Sequence, residues 1–286
     1  MMKRFLGFIA VVLSAVVFVA AYKPADEPVD LRPMMSSVKN QGYRNTCNTF
    51  AATALMEFLI KQKTKKTIDL SESYAYWLGK NYALDTDLLR SMYTDIDALA
   101  GFLAVKAFEF GCMEEKEWPY EKKNWEELKD SRAVDANGKP SPNRFTGIPP
   151  NPVRLLPYTF KTVFIEKETI ADYILTKKRP VLMNIMWCFD AVNDKTGEIR
   201  MPTEEETKKA AGHVVLLVGF DPKTRLFVFR NSWGDTWGNK GYGTIPEDYI
   251  LNYYEVKIFE PFSQHDKETQ DFLVTGMKGV TAELFE

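Results

Sequence analysis

Cysteine and histidine are both scarce in this chain of 286 residues, which holds Cys47, Cys112 and Cys188 and only His213 and His265. So few ligands at such spacing make no metal-type Cys/His cluster, and no metal site is expected. Neither sign of charge dominates, since 37 Lys and Arg against 39 Asp and Glu leave a formal net charge of -2. That balance gives no electrostatic reason to expect nucleic acid or an anionic membrane surface as a partner. There is no phosphate-cradling Gly-rich loop and no internal repeat, and no cofactor is expected.

What is present is enough apolar material for a core. Hydrophobic residues make up 45% of the chain, which argues against global disorder and suits one large domain or two small ones. The N-terminus reads Lys3-Arg4, then an apolar run from Phe5 to Ala21, then Tyr22-Lys23-Pro24. A positive start, an apolar run short for a membrane span, and small residues at Val19-Ala20-Ala21 are the pattern of a signal peptide. Residues 1–21 are therefore expected to be cleaved. The remainder would be secreted or periplasmic, with no stable membrane insertion. An uncleaved anchor or a buried helix is the plainer alternative. Export permits disulfides. If Cys47 is committed to chemistry, Cys112 and Cys188 could bridge or stay free, and their spacing does not decide which.

Residues 22–29 are rich in Pro and acid and read as a linker. Cys47 then opens a helical pattern, with Phe50, Ala51, Ala54, Leu55, Phe58 and Leu59 at three- and four-residue intervals. Thr46 is placed to cap it. Leu70 to Asn81 and Ile96 to Phe110 read as further helices, the second ending at Gly111. Residues 130–160 read as a long surface connection. The pattern then changes. Tyr158–Ile165, Pro180–Trp187, Val214–Phe220, Leu226–Arg230 and Gly241–Ile245 are β-type runs, and Glu168–Lys178 is a short helix. A helical part (30–150) followed by a mostly antiparallel β part (151–258) implies an α+β protein of two lobes with a site in the cleft between them.

Four residues could supply that site. A cysteine in the first turn of a helix has its thiolate favoured by the helix dipole. The plainer alternative for Cys47 is a small buried hydrophobe. His213, between a glycine and a β-branched run, could serve it as base and acid. His265 lies in a polar stretch and reads as surface. Asn231 follows a turn and a strand, so two antiparallel strands would return it beside His213, where an amide oxygen can orient the imidazole. Trp233 and Trp237 would shield that bond from water. Gln41, six residues before Cys47, could join the Cys47 backbone N–H in holding an oxyanion. Taken alone, it reads as a solvated loop glutamine.

These segments resemble the papain family of cysteine peptidases. Gln41, Gly42, Cys47 and Phe50 match its nucleophile block. Leu70-Ser71-Glu72 and Trp118-Pro119-Tyr120 resemble two further elements. Gly212-His213-Val214-Val215 and Asn231-Ser232-Trp233-Gly234, with Trp237-Gly238 and Gly241-Tyr242, resemble its His and Asn blocks. The resemblance runs from about Val29 to Ile258. It implies a helical left lobe, an antiparallel β-barrel right lobe, and Cys47 facing His213 across the cleft. It implies a peptide or protein substrate, a glutamate at Glu57 buried between the lobes, and Val214 lining the pocket for the side chain preceding the scissile residue.

The departures from the family are informative too. Arg44 stands where the family has a disulfide cysteine, and Asn48 where it has tryptophan. The backbone-binding Gly-Gly pair is not recognisable near Asp95-Ile96-Asp97-Ala98. The shortage of cysteine is similar to bacterial and aminopeptidase-type members. Residues 259–286 extend past the usual family terminus. With Phe259, Phe262, Phe272, Leu273, Val274, Leu284 and Phe285 they are too apolar for a solvated tail, so part of them is expected to pack on the body. The leading function is a peptidase. A binding protein that keeps the fold without turnover and another thiol acyl-transfer enzyme are the alternatives.

Overall fold

The computed structural model describes residues 27–81, 101–123, 146–253 and 278–285, with short pieces between 127 and 138. The signal-peptide reading, Asp95–Ala98, the start of the helix expected at Ile96, and residues 254–277 lie outside them. The helices are α1 (Cys47–Thr64), α2 (Glu72–Asn81), α3 (Gly101–Ala107), α4 (Ile170–Lys177), α5 (Glu204–Thr207) and α6 (Glu247–Asn252). The strands are β1 (Val29–Asp30), β2 (Thr159–Ile165), β3 (Val181–Trp187), β4 (Val192–Asn193), β5 (Glu198–Ile199), β6 (Ala211–Asp221), β7 (Leu226–Arg230), β8 (Tyr242–Pro246) and β9 (Gly279–Phe285). Among these described residues no helix is long and apolar enough to cross a membrane.

The strands form one sheet in the order β2-β9-β3-β6-β7-β8-β5-β4, with β1 on β6. Every pairing is antiparallel except β5 with β8. Val29, assigned to the linker, already pairs with Phe220. The C-terminal segment is more than a surface clasp. β9 lies between β2 and β3, in register with β2 from Thr159↔Phe285 to Ile165↔Gly279 and touching β3 at Leu182↔Val280. Val280 and Ala282 are buried in the main core.

Two apolar cores flank the sheet, and β6 divides them by strand alternation. Val214, Leu216 and Val218 join α1, α2 and α3 in one core. Val215 and Leu217 join α4, α6, Trp187 and Phe229 in the other. The stripe expected on α1 proves to be a whole buried cylinder, with every residue from Asn48 to Ile60 buried. The cause is its position, packed at once against α2, α3, β6 and β9. A helix covered on all sides has no polar face to alternate with.

Candidate active site

The loop before α1 is tied on both sides. Gly42 takes φ 66°, a left-handed conformation that favours glycine. The Gln41 N–H donates to Ser232 O (2.9 Å), and Asn40 bridges Trp233, so the loop is stitched to the strand end of the β lobe. Tyr120 closes the other side, with its hydroxyl donating to Gln41 O (2.9 Å). That oxygen has one hydrogen, so Thr46 Oγ1, 2.7 Å away, donates to it. Thr46 thus sits at the N-cap position, but its hydroxyl is turned to Tyr120 and makes no side-chain cap bond.

Arg44 gives this loop a non-covalent anchor where the family has a disulfide cysteine. It is buried, its guanidinium lies 4.9 Å from the Tyr76 ring centre and 5.4 Å from that of Tyr120, and it donates to Glu121 O (3.0 Å). Such ring contacts contribute about 0.5–2 kcal/mol, and a hydrogen bond from a charged group about 1.5–3 kcal/mol. Cys112 and Cys188 are both free and buried, so the bridge left open by the sequence is not formed. Burial pushes the Cys112 thiol up to about 12.

Cys47 is the first residue of α1 and is half-buried, and no acidic residue occupies that first turn. The positive end of the helix dipole is therefore not cancelled locally. The Cys47 N–H is also one of the amides at the N-terminal end of the helix. Gln41 is buried, not solvated as it would read alone. Its Oε1 accepts from Ser232 Oγ (2.5 Å) and its Nε2 donates to Arg44 O (2.7 Å). The amide has a second hydrogen, and Gln41 borders the cleft.

His213 and Asn231 are brought together by the β6–β7 pairing. His213 Nε2 lies 2.8 Å from Asn231 Oδ1. The same oxygen accepts the Ser232 backbone N–H at 2.8 Å. A backbone donor requires an acceptor there, so that atom is the amide oxygen, and His213 Nε2 must carry its hydrogen. The other ring nitrogen, Nδ1, then holds the lone pair of the neutral imidazole. Trp187 and Trp233 enclose the ring, with centroids 4.7 Å and 5.0 Å away. Trp237 contacts both tryptophans and donates its indole N–H to Asp194 (2.8 Å). Burial lowers the His213 pKa to about 4, although the bond to Asn231 opposes this.

Gln41, Cys47, His213, Val214 and Trp233 border one cleft of about 460 Å³. Asn231 is screened from it behind His213. Val214 is 5% exposed and packs in the helical-side core, so only an edge reaches the cleft. The quoted elements around Ser71 and Trp118 meet directly, since Ser71 Oγ donates to Trp118 O (2.6 Å) and Ser73 Oγ to Pro119 O (3.1 Å). Beneath the loop, Lys39 Nζ contacts Glu72 (2.8 Å), Asp69 (2.5 Å) and the buried Glu57 (3.4 Å). Sequence reasoning did not single out Trp187 or Lys39, and quoted Tyr120 only as part of a motif. Trp187 ends a strand run without a motif, and the other two act through contacts distant in sequence.

A family profile described as papain family cysteine protease matches residues 99–258. The chain is 25% identical over 238 residues to an uncharacterized peptidase C1-like protein of Acanthamoeba polyphaga mimivirus, covering 77% of this chain and 67% of that one. It is 26% identical over 224 residues to pro-cathepsin H of Mus musculus, covering 74% and 56%. The match thus spans little more than half of the cathepsin. Its fold is similar to that of xylellain, a cysteine protease from Xylella fastidiosa, with a TM-score of 0.56, 24% identity, and coverage of 81% and 86%.

Proposed function

This chain belongs to the papain family of cysteine proteases, and we propose that it hydrolyses peptide bonds through an acyl-enzyme on Cys47. The thiolate sulfur attacks the peptide carbonyl carbon, and the C=O electrons move onto oxygen. The Cys47 N–H and the second amide hydrogen of Gln41 hold that oxyanion. His213 Nδ1 takes the thiol proton and delivers it to the leaving amine as the C–N bond breaks. Water, deprotonated by the same nitrogen, then releases the acid and restores the thiol. Asn231 keeps the ring in the tautomer this requires. Burial favours a neutral His213, so its protonated form depends on the thiolate, and the two groups titrate as a pair. Val214 borders the side that takes the residue preceding the scissile one.

The observation that carries this reading is Asn231 Oδ1 shared between Ser232 N–H and His213 Nε2, behind an imidazole that borders the same cleft as Cys47 and Gln41. The test is a peptide library cleaved by the protein and its variants. Cys47→Ala should abolish cleavage, and His213→Ala should lower it by orders of magnitude. Gln41→Ala should lower turnover about 10- to 1000-fold. Near-normal turnover in the Cys47 or His213 variant sinks the assignment. A Gln41 variant altered only in affinity sinks the oxyanion role. We also propose that residues 30–286 form the peptidase unit and that residues 1–21 direct its export. N-terminal sequencing of exported protein tests the latter, with a start near Tyr22 expected.

A further inference from the structure

Among the described residues, the two most exposed large apolar side chains are Tyr43, at 101%, and Phe189, at 57%. Both border the cleft, Tyr43 from the loop before α1 and Phe189 from the segment after β3. Two such rings left in water beside a candidate catalytic cleft call for an occupant.

The sheet says which side of the cleft Phe189 serves. In the β3–β6 register, His213 lies opposite Ile185 and Val214 opposite Asn184. Going the other way, Gly212 and Ala211 lie opposite Met186 and Trp187, and Phe189 follows. His213 thus separates a Val214 side from an aromatic side formed by Trp187 and Phe189. Resting on the reading above, in which Val214 borders the acyl portion, the aromatic side faces the leaving portion. Its chemistry is uncharged. Arg44 is the one Lys or Arg among the described residues of the lining, and its guanidinium is engaged by Tyr76, Tyr120 and Glu121 O. Among the described residues no Asp or Glu lines the cleft. Asp190, next to Phe189, borders a separate groove of about 560 Å³ instead.

We propose that Phe189 and Tyr43 form an aromatic rim that selects peptides with a large apolar, above all aromatic, residue immediately after the scissile bond. Such a residue covers both rings on binding, whereas a charged one there is left unpaired.

The test uses peptides of one sequence that differ only in the residue after the scissile bond: Phe, Leu, Ala, Lys or Asp. The wild-type kcat/KM should favour Phe over Ala by about tenfold or more, with Lys and Asp no better than Ala. Phe189→Ala and Tyr43→Ala alter exposed side chains, so melting temperatures should match wild type. Together they should bring the Phe-to-Ala ratio to within about twofold, mainly by slowing the Phe peptide. A flat wild-type profile, an unchanged ratio in the variants, or a preference for Lys overturns the rim and leaves the peptidase reading standing. No turnover of any peptide sinks the peptidase reading and the rim with it.

Discussion

Asn231→Ala is the most direct probe of how the imidazole is held. It removes the acceptor 2.8 Å from His213 Nε2, inside a box of Trp187 and Trp233 that admits little water. A hydrogen bond to a charged group contributes about 1.5–3 kcal/mol, and His213 is charged as it drives off the leaving amine. At about 1.4 kcal/mol per decade, kcat should fall roughly 10- to 150-fold. KM should change little, because the bond is behind the ring and not in the cleft. The Ser232 N–H loses the same acceptor, so thermal melting should accompany the kinetics, with a loss of about 1 kcal/mol expected. The pH profile supplies a sign. The Asn231 bond raises the His213 pKa against burial, which has lowered it to about 4. Removing the bond lowers it further, so a limb set by His213 should move to lower pH. A kcat within twofold of wild type, or a limb moving upward, refutes the reasoning.

Two further outcomes follow from the packing. Burial and the neighbouring Glu57 raise Glu72 to about 8 although Lys39 opposes the shift, since one lysine cannot neutralise both buried carboxylates. A carboxyl raised in the fold stabilises below its unfolded pKa and loses that contribution as pH rises toward 8. Glu72→Gln should therefore flatten the decline in melting temperature between pH 5 and 9, and an unchanged slope contradicts this. Truncation after Lys278 removes β9 from between β2 and β3 and uncovers Phe160 and Leu182. It should lower the melting temperature by 10 °C or more, roughly 2–4 °C per kcal/mol for a chain of this size, whereas a shift under 2 °C would mean that β9 is dispensable.

Much of this protein was legible in one dimension. The helix opening at Cys47 and the strand runs from Thr159 to Ile245 follow from local periodicity and turn chemistry, and the Gly212–Val215 and Asn231–Gly234 blocks from their resemblance to family motifs. Those signals depend on near neighbours, so a linear reading can find them. The packing of the C-terminal segment was legible from its apolar content alone. Its place inside the sheet was not, because strand order depends on partners more than a hundred residues away, as in Thr159↔Phe285. Only tertiary structure decided that Thr46 bonds Tyr120 instead of capping its helix, that Arg44 is held between two tyrosine rings, and that α1 is buried on every side. It also put His213 on the tryptophan face of β6 and its neighbour Val214 on the α1 face. A strand turns successive side chains to opposite faces. What waits on each face is set by the elements that pack there.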